Sequence, residues 1–362
     1  MHVTLCPMLW DVFCRVVDNY GDIGVCWRLS AQLAARGDTV RLWVDDPTPL
    51  EWMAPQGAAG VTVARWSSDA AWPEPGDAVI EAFGCELPEL FVQRMAHQHA
   101  FGRPPVWINL EYLSAEPYVA RSHRLVSPQL VGPGAGLRKQ FFYPGFTADT
   151  GGLLRESDLV SRQSRFDAAA WRQAHGLHAK DSEGIVSLFC YDGAPLRDLI
   201  GALASQPTVL VATHGIASRM VTDMLGPTLR DGVLRALLMP ALAQTEFDHL
   251  LWSCDINFVR GEDSFVRALW AGRPFVWHIY PQSDDAHARK LHAFNELYLR
   301  DAAPEFATHY AALSNRWNGL VHDAITMPAA TPWLDHAAHW RERLLGQTDL
   351  VTQLRALAAV TG

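Results

Sequence analysis

Two loops in this chain carry more chemistry than a turn requires. The run Asp18-Asn19-Tyr20-Gly21-Asp22-Ile23-Gly24 sets two carboxylates four residues apart among glycines. Gly21 and Gly24 permit a tight turn and a close approach by a ligand, but their spacing is not the G-x-G-x-x-G of dinucleotide-binding loops. Loops that cradle phosphate rarely turn acids toward an anion. Asp18 and Asp22 therefore suit a cationic or hydroxyl-bearing group better, with helix capping as the competing role for Asp22.

The second loop is Arg260-Gly261-Glu262-Asp263-Ser264. A helix starting there would aim backbone N–H groups at an anion, and Ser264 would add a hydroxyl donor. Glu262 and Asp263 would repel a diphosphate directly, so if they face a ligand they should accept from sugar hydroxyls or orient Arg260. Asp and Ser are also ordinary cap residues, and that alternative stays open. Two upstream segments could complete a nucleotide pocket. Phe189-Cys190-Tyr191 offers an aromatic face and a phenol, and Gln244 with Phe247 could pair with a base edge and stack on it. Each aromatic, taken singly, is more often a core residue than a base platform. Glu111-Tyr112 could touch an acceptor or be a plain loop pair.

Simpler chemistries lack support. No Asp-x-Asp triplet, H-E-x-x-H or G-x-S-x-G occurs. Asp45-Asp46 and Asp284-Asp285 read as solvated turn or helix-start acids. His278, in an apolar run, reads as a satisfied core histidine. Cys6, Cys14, Cys26, Cys85, Cys190 and Cys254 are scattered without a C-x-x-C pair, which argues for reduced thiols and against a zinc or disulfide framework.

The elements that must position these loops read as α/β. Strands are expected at 10–17, 39–44, 61–66, 78–83 and 106–110, and again at 184–190, 208–212, 233–239, 256–259 and 274–279, with helical stretches between most of them. A helix is expected over 25–35, ended by Gly37. In such sheets ligands bind beyond the carboxyl ends of the strands, which is where both loops fall. Residues 128–165, dense in glycine, proline and aromatics, read as ordered loops at a domain boundary. The tail from about residue 333 reads as helical and able to pack back across the junction.

The chain has 362 residues, enough for two domains, with 49% hydrophobic and 19% charged residues. That excludes a disordered, collagen-like or coiled-coil protein. Its formal net charge of −9, without basic runs, argues against nucleic-acid wrapping or anionic membrane as partners. The opening residues lack a basic start and a small-residue cleavage site, and no uncharged apolar run reaches about 18 residues, so the expectation is a cytoplasmic protein.

The stretches DVFCRVVDNYGDIGVCWRLSAQLA, FFYPGFTADTGGLLRE, SLFCYDG and FDHLLWSCDINFVRGEDSFVRALWAGRPFVWHIYPQ closely resemble the bacterial elongation factor P arginine rhamnosyltransferases. The resemblance spans most of the chain. It implies a GT-B fold: two Rossmann-like α/β domains facing a central cleft, with a C-terminal helix crossing back. The implied boundaries are 1–160 for an acceptor-binding and catalytic domain, 161–335 for a nucleotide-sugar-binding domain, and 336–362 for the returning helix.

The implied reaction is inverting transfer of L-rhamnose from dTDP-β-L-rhamnose to an arginine of elongation factor P, which activates that factor, with no metal or cofactor. Asp18 and Asp22 match the family's paired catalytic aspartates. Phe189, Tyr191, Gln244, Phe247, Glu262, Asp263 and Ser264 match its nucleotide-sugar positions. Tyr20, Gly21, Arg260 and Gly261 are expected to line that site as well, and Glu111 is a possible acceptor contact. The alternative is a GT-B nucleotide-sugar transferase or epimerase with another acceptor.

Overall fold

The computed structural model describes residues 6–16, 20–67, 72–282 and 286–361. Asp18 and the Asp284-Asp285 pair lie outside the described residues. Two compact units divide the chain: Met1–Glu156 with Gln347–Gly362, and Ser157–Gly346.

Among the described residues, the first unit holds seven strands: β1 (Leu9–Cys14), β2 (Thr39–Val44), β3 (Val61–Arg65), β4 (Ala78–Ala82), β5 (Val106–Leu110), β6 (Val126–Pro128) and β7 (Arg138–Phe142). Their order is β3-β2-β1-β4-β5-β7-β6, parallel except for β6 against β7. Strand order reverses between β1 and β4, the switch point at which doubly wound sheets open a crevice. Strands covered on both faces read as continuous apolar runs. β1 does so, interrupted by Asp11. That fully buried carboxylate is satisfied by Arg41 Nε at 2.7 Å, Trp43 Nε1 at 2.8 Å and the Gly76 N–H at 2.8 Å, which tie β1 to β2 and to the approach to β4.

β1 stops at Cys14, short of the expected residue 17, because the Val16 N–H turns to Asp45 Oδ1 at 3.0 Å. Asp45 thus closes the strand end and is not merely a solvated turn acid. The first helix spans Gly21–Ala35, one turn earlier than expected, and Gly37 at φ +92° follows its end. β6 and β7 stand within residues 128–165 and just before them, where loops were expected. β7 (RKQFF) pairs with β5 and is only partly buried, so it shows no apolar run.

The second unit holds β8 (Gly184–Leu188), β9 (Thr208–Ala212), β10 (Arg230–Asp231), β11 (Leu234–Leu238), β12 (Ile256–Arg260) and β13 (Phe275–His278) among its described residues. The order is β10-β11-β9-β8-β12-β13, parallel except for β10. Its switch point lies between β8 and β12. The helices Gln244–Ser253 and Asp263–Ala271 are joined by a bidentate ion pair. Arg267 Nε and Nη2 reach the two oxygens of Asp248 at 2.8 and 2.7 Å, with both side chains 1% exposed. Phe265 stacks on Trp277 at 4.1 Å, fixing the second of these helices to β13.

The tail is two helices, not the single returning helix expected from residue 336. Ala330–Leu345 belongs to the second unit. After a break at 346–349, Leu350–Thr361 buries Leu350, Val351, Leu354 and Ala358 in the core around Trp10, Leu29 and Val40 of the first unit. Arg36 Nη2 to Asp349 Oδ1 at 2.7 Å and Arg355 Nη2 to Asp38 Oδ1 at 3.2 Å secure it. Among the described residues, no helix is long and apolar enough to cross a membrane.

Removing one partner of a fully buried ion pair strands the other charge. Asp248→Ala is expected to cost about 3–5 kcal/mol in urea unfolding, whereas Asp248→Leu with Arg267→Met costs less than that single change.

Candidate active site

Both sequence-selected loops follow a strand that borders a switch point: the first follows β1, the second β12. In the second unit the carboxyl ends of β8 and β12 lie side by side, since Phe258 pairs with Leu188 and the Phe189 N–H donates to Phe258 O at 2.8 Å. That register brings Arg260, the last residue of β12, over the rings of Phe189 at 4.4 Å and Tyr191 at 4.6 Å. The guanidinium residue is 6% exposed. Arg260 Nη1 donates to Cys190 O at 3.4 Å, and Arg260 makes no ion pair among the described residues. A buried cation held by aromatic faces and a carbonyl, in no ion pair among the described residues, has charge to offer an anionic ligand.

The neighbouring residues arrange themselves around it. Phe247 meets Phe189 edge to face at 5.6 Å, and Tyr280 meets Tyr191 at 5.4 Å. Gln244 Nε2 reaches Asp263 Oδ2 at 3.4 Å, joining the starts of the two helices that the Asp248–Arg267 pair holds together. Gly261, at φ +62°, turns the chain between β12 and the following helix, and its carbonyl accepts from Trp277 Nε1 at 2.7 Å.

Neither Asp263 nor Ser264 is the helix cap. Glu262 occupies that position and makes no side-chain cap bond. Its carboxylate pairs instead with Lys290 Nζ at 2.6 Å, with both side chains 17% exposed. The Ser264 hydroxyl accepts from the Arg260 N–H at 3.1 Å and donates to the Arg260 carbonyl, so it closes the strand-to-helix turn.

In the first unit the cap position is Tyr20, without a side-chain cap bond, and its ring meets Trp52 at 5.2 Å. Asp22 is therefore not the N-cap. It sits in the helix's first turn, 4% exposed, where a carboxylate interacts favourably with the helix dipole. Gly21 and Gly24 lie inside that helix and do not form a loop turn.

Other acids gather at the carboxyl ends of β4 and β5. Glu111, half-buried after β5, accepts from Asn109 Nδ2 at 2.5 Å. Burial pushes its carboxyl above the ordinary range, the Asn109 bond opposes this, and the Glu81 charge adds to it. Burial likewise raises Glu81, against Lys139 Nζ at 3.2 Å and Trp107 Nε1 at 3.1 Å. The structure thus assembles Phe189, Tyr191, Gln244, Phe247, Arg260, Gly261, Glu262, Asp263 and Ser264 in one unit. Tyr20, Gly21, Asp22 and Glu111 stand in the other.

Sequence reasoning did not find Lys290 or the Asp248–Arg267 pair. His278 is a satisfied core histidine, as expected, but also a neighbour of the site. Its Nδ1 accepts from the Tyr191 N–H at 3.3 Å. Burial, with the Arg260 and His287 charges, lowers it from 6.5 to about 4, so it stays neutral and able to accept. Among the described residues, no group of three His, Cys, Asp or Glu is placed to hold a metal ion.

Comparison with known proteins extends along nearly the whole chain. Residues 10–359 match the family model described as Elongation-Factor P (EF-P) rhamnosyltransferase EarP. A protein-arginine rhamnosyltransferase of Pseudomonas aeruginosa is 42% identical over 378 residues, covering 95% of this chain and 97% of that protein. The solved structure described as "Structural basis for EarP-mediated arginine glycosylation of translation elongation factor EF-P" is 31% identical. It has a TM-score of 0.64 and covers 96% of this chain and 97% of that one. The Streptomyces sp. SF2575 glycosyltransferase SsfS6, solved with thymidine diphosphate, has a TM-score of 0.51 at 14% identity and covers 97% of this chain and 99% of that one. That likeness shows the fold alone, which is GT-B.

A histidine neutral in the fold and titrating near 6.5 when unfolded contributes stability that is present above pH 6.5 and lost as pH falls through about 4. His278→Asn keeps an acceptor without the titration. Wild-type protein is expected to lose on the order of 2–3 kcal/mol more than this variant between pH 7 and pH 4, read as the change in urea-unfolding free energy.

Proposed function

The chain belongs to the EarP family of elongation factor P rhamnosyltransferases, and on that premise we propose that it transfers L-rhamnose from dTDP-β-L-rhamnose to an arginine of elongation factor P, with inversion at the anomeric carbon, and thereby activates that factor. The observation that carries the donor side is the buried Arg260 guanidinium, stacked on Phe189 and Tyr191 and without an ion pair among the described residues. A diphosphate supplies the missing negative charge. Phe189 and Phe247 give the base aromatic faces, and Gln244 faces its edge. Asp263 and Glu262 accept from sugar hydroxyls. The Tyr191 hydroxyl and the first amides of the helix Asp263–Ala271, that of Ser264 among them, stabilise the leaving diphosphate together with Arg260, in a scheme that calls for no metal ion.

The acceptor explains the acids of the first unit. Arginine holds its proton to a pKa of about 12 or above, and aspartate titrates near about 4. Removing that proton before reaction would cost roughly 1.36 kcal/mol for each of about nine units, on the order of 12 kcal/mol. A concerted path avoids this cost. The carboxylates grip the guanidinium and hold one nitrogen toward the anomeric carbon. As the C–N bond forms and the C–O bond to the diphosphate breaks, Asp22 accepts the proton from that nitrogen. Asp18 orients and neutralises the guanidinium, with Glu111 as a further acceptor contact.

General-base assistance of this kind contributes about 10²–10⁴-fold. Asp22→Asn is expected to lower kcat for elongation factor P by about that factor, with the calorimetric Kd for the donor unchanged. Near-normal turnover by a folded Asp22→Asn protein would remove the base from the scheme. Proton NMR of the product is expected to show the α-configured rhamnosyl-arginine, and a β product would contradict inversion.

A further inference from the structure

An anion site flanked by Glu262 and Asp263 poses an electrostatic problem, and the structure answers it from a helix that supplies none of the other residues of the site. The helix Ala286–Leu299 is seated by Leu291, fully buried, and by Phe294, whose ring meets Phe265 at 4.8 Å and Trp277 at 5.8 Å. These are the same two rings that fix the helix Asp263–Ala271 to β13. The shared anchor sets Lys290 opposite the start of that helix, where its Nζ lies 2.6 Å from Glu262 Oε1.

Glu262 stands at the cap position of the nine-residue helix, yet makes no cap bond. A carboxylate there would otherwise serve as the helix's own anion and compete with a ligand for the first amides. We propose that Lys290 is a positioning residue for the donor: it draws the Glu262 carboxylate away from the helix start and neutralises it, so that a diphosphate can lie beside Arg260 while Glu262 remains an acceptor for a sugar hydroxyl. This rests on the nucleotide-sugar reading of the same site.

The probe is dTDP, titrated calorimetrically, with steady-state kinetics on dTDP-β-L-rhamnose alongside. Lys290→Met exposes the charge of Glu262 to the diphosphate and weakens dTDP binding by about tenfold to a hundredfold, with donor KM rising more than kcat falls. Lys290→Arg, which keeps the charge, stays within about threefold of wild type in both. Adding Glu262→Gln to Lys290→Met removes that charge and restores dTDP binding, whereas donor KM stays raised because the hydroxyl acceptor is weakened. A purely structural lysine would give no such recovery. Wild-type dTDP affinity in Lys290→Met, or no recovery in the double variant, overturns the role of Lys290 alone. Failure of the wild-type protein to bind dTDP overturns the donor reading and this role with it.

Discussion

A guanidinium buried at the carboxyl end of a parallel sheet, in no ion pair among the described residues, is the constraint from which the second unit is built. Such a charge persists only if its surroundings are fixed. Phe189 and Tyr191 supply ring faces because β8 and β12 pair in a register that brings them under Arg260. Tyr191 is held in turn by His278, which the field of Arg260 helps to keep neutral. The Asp248–Arg267 pair and the Phe265–Trp277 stack then place Gln244, Asp263 and Glu262 around the same point. The neighbouring acids are answered within the unit, Glu262 by Lys290 and Asp263 by Gln244.

The first unit places acids near the carboxyl ends of its strands. At the carboxyl ends of its sheet stand Asp22, buried in a helix's first turn, and Glu81 and Glu111, whose carboxyls burial pushes up. Burial disfavours the charged form of both glutamates, and Lys139 already answers Glu81. The proposed reaction gives the donor to the second unit and the arginine to the first; family membership itself names rhamnose and elongation factor P.

Much of this was legible in the sequence. Parallel strands covered on both faces leave continuous apolar runs, and the loops at their ends stand out when they carry acids and glycines. The resemblance in the run through GEDSFVRALWAG pointed to this segment as nucleotide-sugar positions, and the strand-to-helix turn is closed there by Ser264 on the Arg260 backbone. What stayed hidden depended on distance or on weak patterning. β7 carries Arg138 and Lys139 and is only partly buried, so it offered no apolar signature. Asp22 looked like a cap because its type suits one, but the helix starts at Gly21 and leaves the cap to Tyr20. Lys290 answers Glu262 across 28 residues, and Asp11 is satisfied from β2 and from Gly76, pairings that only the folded sheet and helices create.

The most direct measurement is the intact mass of elongation factor P after incubation with the purified protein and dTDP-β-L-rhamnose, followed by fragmentation to locate any change. A single deoxyhexose increment on one arginine, dependent on both protein and donor, is the expected result. An unmodified factor, from protein that binds donor and is folded, would contradict the assignment of this chain's acceptor.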